Sequence, residues 1–420
     1  MRYGLAAAAP GTAAAAQFIL QLALLRVVDS TSFGQFAFIL GLVQFGFGLS
    51  NALISTPYTV NINGSAFEAG QALSFFTVNL LFAAGWAIIC GGVTAVLGAP
   101  HEAWLFSLYA FLAMIRWFGR AHLYALHRPF QAAASDLAYS FALVVALGGA
   151  WLMGLSMAMG AMTITLATLA GIVALGPTFI AEQFHRAWAG SLRNYGAVWR
   201  EQSRWTLLGV VSSEATANAH AYAVTIFAGS AAFAPIAAAT LLVKPISLAI
   251  TSLTQLERPT MTRHFTTGDL AGAYGSVRRF RAVALLVWSG TVALGVVALA
   301  WYPQTIFKTS YDIKSLSIAF SLWAVISLLQ CWSMPSSILL QAAQWFQPLA
   351  RWGMICAILA ILAVFALVQL AAPIYSLLGI VLGQVATSLS MAMLAARLKR
   401  SHGASVTRDK VSFKTASNVL

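Results

Sequence analysis

The sequence predicts an all-α polytopic membrane protein of about twelve spans, and three observations carry that prediction. First, 60% of the 420 residues are hydrophobic and only 8% are charged, with a mean hydropathy of +0.80. A soluble core cannot absorb that much apolar surface. Second, the apolar residues fall into runs of about 20, the length needed to cross a hydrocarbon layer. Third, no polar stretch is long enough to build a soluble domain.

Runs and breakers place the spans at roughly 5–26, 35–57, 73–97, 103–126, 135–155, 158–180, 205–227, 231–254, 280–302, 315–340, 349–371 and 374–396. The opening run "MRYGLAAAAPGTAAAAQFIL" has the composition of a signal peptide. No cleavage site precedes a soluble region, so it reads as the first span. Pro10-Gly11 should kink that span and Pro335 the tenth, while Gly379 and Gly383 suit close helix packing.

An even number of spans puts both termini on one side. Of 24 Lys and Arg, only Arg26, Lys308 and Lys314 fall on the side away from the N-terminus, and Lys244 falls within a span. The positive-inside rule then places both termini in the cytoplasm. The net charge of +13 therefore marks the inner leaflet of a membrane and calls for no nucleic acid. Cys90, Cys331 and Cys356 lie in apolar runs without metal-site spacing and read as packing residues. The Asn63-Gly64-Ser65 sequon falls in a loop placed on the cytoplasmic side and carries no weight.

The loops divide the chain. In the cytoplasmic stretch 181–204, Phe184, Trp188, Leu192, Tyr195 and Trp199 recur every three to four residues, and Arg186, Arg193 and Arg200 every seven. That pattern predicts an amphipathic helix at about 182–200 lying on anionic inner-leaflet lipid. A faint repeat spans the halves. "SFGQFAFILGLVQ" from Ser32 aligns with "AFAPIAAATLLVK" from Ala232, with matches at Phe33/Phe233, Ala37/Ala237, Leu42/Leu242 and Val43/Val243. The expected organisation is an N-terminal six-helix lobe at 1–200 that includes the linker helix, a C-terminal six-helix lobe at 201–397, and a basic cytoplasmic tail at 398–420. Parallel repeats of this kind are a transporter plan, with the substrate path between the lobes.

The segment Arg26-Val-Val-Asp-Ser-Thr-Ser-Phe33-Gly34 resembles the opening signature of Wzx-type polysaccharide flippases of the MOP exporter superfamily, Arg-x-Leu-Gly-Pro-Glu-Glu-Phe/Tyr-Gly. Arg26, Phe33 and Gly34 match. Val28, Asp29, Ser30, Thr31 and Ser32 depart from it. The arginines of the fourth span followed by "HRPFQAAASDL", and the two-by-six layout over nearly the whole chain, add to the resemblance. It implies a MOP/MATE-like fold of two lobes around a central cationic cavity. The implied activity is flipping of an undecaprenyl-diphosphate-linked oligosaccharide from the cytoplasmic to the periplasmic leaflet of a bacterial inner membrane, for surface polysaccharide or exopolysaccharide biosynthesis. Alternating access would be coupled to H+ or Na+, with no cofactor, and the polysaccharide polymerase machinery would be a partner.

Buried charges supply the candidate site. Arg116 lies thirteen residues beyond Ala103, about 20 Å along the helix, and Arg120 follows one turn later on the same face. Lys244 lies a similar distance along the eighth span, where Pro245 should break the helix locally. Its repeat counterpart is Gln44. Each central cation costs roughly 2.5–3.5 kcal/mol to insert. The acidic partners at hand are Glu214 and Asp136. The positive excess suits an anionic guest, and guanidinium groups bind phosphate oxygens in bidentate fashion. Arg116, Arg120 and Lys244 are thus candidate diphosphate ligands, the alternative being that each snorkels to the headgroups. Glu214 and His220 are candidate ion-coupling groups, the alternative for Glu214 being a salt bridge to Lys244 or an arginine. Asn218, Tyr222 and Gln44 are candidate sugar contacts, for which polar helix packing is an equal explanation.

Three rivals follow. A multidrug or cation antiporter of the MATE branch shares the layout, but a cationic cargo calls for an acidic cavity. A membrane-embedded glycan polymerase or ligase would carry catalytic groups on a large far-side loop. Here the longest such loop, about 303–314, holds one carboxylate, Asp312, so no acid–base pair is available and no enzyme is expected. A peptidoglycan-precursor flippase usually has fourteen spans.

Overall fold

The computed structural model describes residues 2–62, 69–307 and 312–416, and every regular element in them is helical. The Asn63–Ser65 sequon, Lys308 and the last four residues of the tail lie outside the described residues. Each of the twelve expected spans falls on a helix. The first is α1 (Arg2–Val27), which passes through Pro10 without a break. The second is α2 (Ser30–Ser50), extended through one π-helical stretch at Asn51–Ser55 into α3 (Thr56–Ile62). Then come α4 (Ala69–Val96), α5 (Ala103–Ala125), α6 (Pro129–Met153) and α7 (Met157–Val173).

Two short helices follow, α8 (Pro177–His185) and α9 (Leu192–Val198), and then α10 (Arg204–Ala228) and α11 (Ser230–Thr266). The chain continues with α12 (Leu270–Trp301), a short α13 (Pro303–Ile306), α14 (Ile313–Ala342), α15 (Phe346–Leu370) and α16 (Ser376–Ala416). The stretch expected to be a polar tail is therefore helical to Ala416.

Local signals explain the ends. Asp29 caps α2 by accepting the N–H groups of Thr31 and Ser32, Ser156 caps α7, and Pro129 stands at the first turn of α6. Among the described residues, eight helices are long and apolar enough to cross a membrane. α12 shows why lipid is required: its most apolar window has a hydropathy of 2.2, yet only 17% of it is buried in protein. Exposed Phe141, Leu152, Leu286 and Leu294 belong to the same kind of uncovered apolar surface.

The sixth span and the linker depart from expectation. The sixth span stops at Val173, and α8 leaves at 101° to α7. Gly176 turns the chain with φ +95°, and the Gln131 amide ties down the Leu175 carbonyl at 2.8 Å. The linker at 182–200 is not one continuous amphipathic helix. A 3-10 turn at Arg186–Trp188 ends the first part, and Ser191 caps a new helix at the Arg193 N–H. Trp188 and Leu192 are exposed. Tyr195 instead turns inward and donates to the Leu53 carbonyl at 2.5 Å, which also accepts from Ser203 Oγ. Leu53 lies in the π-helical stretch, where the usual helical bonding is displaced and a carbonyl is free to be used this way.

The chain packs as two units. One comprises Met1–Leu241 with Trp301–Leu316, the other Leu242–Ala300 with Ser317–Leu420. The division falls inside α11 rather than near residue 200. α10 packs against α2, and the first turns of α11 meet α2 as well. Gly34 faces the Ser230 backbone carbonyl so closely that no Cβ would fit, and the Phe38 and Phe233 rings meet edge-on at 6.3 Å. The repeat offset of 200 residues is reproduced in the helix starts, at Ser30 and Ser230.

Candidate functional site

In the first unit, Arg116 and Arg120 project from α5 one turn apart onto Asp136 of α6. Arg116 Nη2 lies 2.6 Å and Arg120 Nε 3.0 Å from the same oxygen, Asp136 Oδ1. Asp136 is fully buried, while the arginine side chains are 13% and 15% exposed. Its other oxygen, Oδ2, makes no hydrogen bond among the described residues. Arg116 also donates to Ser135 Oγ and to the Ser135 carbonyl, and it lies over the Tyr139 ring at 4.4 Å. Ser135 Oγ in turn donates to the Gly171 carbonyl of α7. Arg120 sits 5.4 Å from the Trp117 ring. Trp117 stacks on Phe47 at 4.4 Å and donates its indole N–H to Asn51. Two guanidiniums on one carboxylate leave a net charge of +1 in the span, and ring faces and backbone oxygens offset part of the desolvation cost.

On α10, Glu214, Asn218 and Tyr222 recur every four residues and so share one face. Asn218 donates to Glu214 Oε2 at 3.3 Å, and the Glu214 side chain packs against Gly48 of α2. Tyr222 meets Phe38 and Phe45 edge-on. Its buried hydroxyl finds no hydrogen-bond partner among the described residues, nor does Thr225 Oγ1. His220 is buried against Phe233.

The other predicted residues lie elsewhere. Gln44 is exposed on α2. Lys244 is partly buried and belongs to the second unit. The break expected at Pro245 does not occur, and α11 runs unbroken through Pro235, Pro245 and Pro259. Proline within a membrane helix is tolerated where neighbouring groups satisfy the freed backbone. Arg26 is exposed at the end of α1, Phe33 is fully buried, and Gly34 makes the α2–α11 contact. The three cysteines are buried and unpaired with one another, as packing residues should be.

Sequence reasoning passed over a third cluster. Tyr58 Oη lies 2.7 Å from His122 Nδ1, and His122 Nε2 lies 3.5 Å from Glu182 Oε2, joining α3, α5 and α8. Phe75, Phe76, Phe118 and Phe179 surround it. The only sequence signal was a histidine on the arginine-bearing helix.

No family model matches the chain, and no curated protein does. Solved structures do. An inward-facing multidrug resistance MATE family transporter of the MOP superfamily matches with a TM-score of 0.65 at 15% identity, over 91% of this chain and 95% of that one. The chain has the fold of that structure. A MATE structure in the straight conformation matches at 0.54 and 14% identity, over 94% of each chain. A MOP superfamily transporter from Pyrococcus furiosus, described as having a binding pocket of reverse polarity that suggests a different function, matches at 0.54 and 15% identity over 94% of each chain. That one fold accounts for nearly the whole length of the chain.

Proposed function

We propose that the chain is a transporter that flips an undecaprenyl-diphosphate-linked oligosaccharide from the cytoplasmic to the periplasmic leaflet of a bacterial inner membrane. It would work by alternating access, with both termini in the cytoplasm and H+ or Na+ as the coupling ion. The observation that carries this reading is the two-to-one ratio of guanidinium to carboxylate at Asp136. A cationic drug gains nothing from a +1 cluster, whereas a diphosphate can compete for guanidinium N–H groups. The Arg26, Phe33 and Gly34 signature supports the same branch. The reverse-polarity pocket described for the Pyrococcus furiosus protein supports the premise that charge, rather than fold, selects the cargo.

Within this reading Arg116, Arg120 and Lys244 serve the diphosphate, and Glu214 and His220 serve the coupling ion. Asn218, Tyr222 and Gln44 serve sugar hydroxyls. Tyr222 is the best placed of these, because its buried hydroxyl has no partner among the described residues. The polysaccharide polymerase machinery would receive the product.

The test is complementation of a strain lacking the gene, scored by surface polysaccharide and by lipid-linked repeat unit retained on the inner leaflet. Arg116→Lys should restore part of the export and Arg116→Glu none, at matched protein level. Normal export by Arg116→Glu would remove the cationic mechanism. A second reading, a multidrug or cation antiporter, draws on the Glu214 carboxylate on α10. Loss of drug resistance with intact polysaccharide in the deletion strain would select it.

A further inference from the structure

A basic pocket lies wholly within the second unit, and none of its lining residues has been used in the sites above. Its volume is about 540 Å³, and its walls are Leu270, Ala271, Tyr274, Val277, Arg278, Arg281 and Lys399. Leu270, Tyr274, Val277 and Arg281 follow one another at spacings of four, three and four, one face of α12. Lys399 comes from α16, its ammonium 5.9 Å from the centre of the Tyr274 ring, while the Tyr274 hydroxyl donates to the Ala395 carbonyl. Arg281 lies over Trp332 and donates to the Trp332 carbonyl and to Ser336 Oγ of α14. It is therefore fixed in place rather than free to swing out.

The depth of this pocket follows from the two helices. From Ala282 to Trp301, α12 has 20 uncharged residues, and α16 has 21 from Ser376 to Ala396. At 1.5 Å per residue both runs are about 30 Å, the thickness of a hydrocarbon core. The cations at their ends stand at one membrane boundary, and Leu270, Ala271 and Val277 lie on the side of Arg278 and Arg281 away from the hydrocarbon run. Among the described residues, no acid lines the pocket. The nearest in sequence, Asp269, is engaged by the Gly272 N–H at 2.8 Å and by His264 at 2.9 Å.

We propose that this pocket binds the phosphate headgroup of an anionic membrane lipid. Arg278, Arg281 and Lys399 would hold the phosphate, and the acyl chains would enter the hydrocarbon alongside the uncharged run that starts at Ala282. Three cations and no acid among the lining residues select against a zwitterionic headgroup, and their place at the end of the hydrocarbon run favours a lipid phosphate over a free one. The site shares no residue with the proposed cargo groups and stands whether or not that proposal holds.

The experiment uses the full chain in neutral detergent, titrated with dioctanoyl-phosphatidylglycerol, and reads the midpoint of thermal unfolding. A saturable rise is expected. Because Arg281 also holds α14, the main variant is Arg278→Gln with Lys399→Gln, which should weaken the apparent affinity by about tenfold or more. Arg279→Gln, on the same helix but outside the pocket, should leave it unchanged. An equal rise with dioctanoyl-phosphatidylcholine would overturn the proposal. So would an equal rise with inorganic phosphate, which would mark a free-anion site, or an equal loss in Arg279→Gln, which would mean diffuse surface charge. If the double variant does not fold, Lys399→Gln alone must still weaken the lipid response, and failure to do so refutes the site.

Discussion

Arg120 Nε meets the same Asp136 oxygen that Arg116 holds, so one fully buried carboxylate neutralises only one of two adjacent guanidiniums. This relationship changes what each substitution should do. Asp136→Ala strands two cations in the span and should destabilise the protein by about 3–5 kcal/mol. Arg116→Ala leaves the Arg120–Asp136 pair intact and should cost clearly less. Replacing all three by apolar residues of similar volume should come close to wild-type stability and, on the proposed function, should abolish export. Thermal unfolding of the three variants, set beside polysaccharide export, checks both halves. An Asp136→Ala protein as stable as Arg116→Ala would show that the triad is not the relevant electrostatic unit.

The Tyr58–His122–Glu182 chain should be energetically lopsided. Tyr58→Phe leaves a buried imidazole nitrogen without its partner and should cost about 1–3 kcal/mol. Glu182, whose side chain is 29% exposed at 3.5 Å from the ring, should cost under about 1 kcal/mol when changed to Gln. Unfolding midpoints that rank the other way would relocate the strength of the cluster to its exposed end.

Gly34 and Arg26 belong to the same signature but should respond differently. Gly34→Ala places a methyl group against the Ser230 carbonyl and should cost about 1–3 kcal/mol as α2 and α11 are forced apart. Arg26 is exposed at the end of α1, and Arg26→Ala should leave stability within about 0.5 kcal/mol of wild type. A loss of export by Arg26→Ala at unchanged stability would assign it a functional role that packing cannot explain.

Asp29 lies in the turn between α1 and α2. Partial burial alone would raise its pKa. The hydrogen bonds from Ser32 and Thr31 outweigh this and hold the carboxyl below its ordinary 3.8. A depressed folded pKa contributes stability above the unfolded value, and that contribution is lost as pH falls through the folded one. Asp29→Asn keeps an acceptor for the cap but does not titrate. Between about pH 5 and pH 3 its unfolding midpoint should therefore fall less steeply than that of wild type. Parallel curves would refute the assignment.

The spans were legible because membrane insertion is read locally. A helix needs its run of apolar residues and a cap or breaker at its end, and Asp29, Pro129 and the apolar stretch from Ala282 to Trp301 supply these within a few residues of where they act. The cost of Arg116 and Arg120 was legible for the same reason, and it named Asp136 as one of two possible partners. Which partner it is, and that both arginines take it, depended on the faces α5 and α6 turn to each other. The meeting of Tyr58 with His122 and of Tyr195 with Leu53, and the division inside α11, join residues far apart in the chain. Helical periodicity says which residues share a face. Only packing decides which face meets which neighbour, because in a chain this apolar nearly every face can be buried or left to lipid at similar cost.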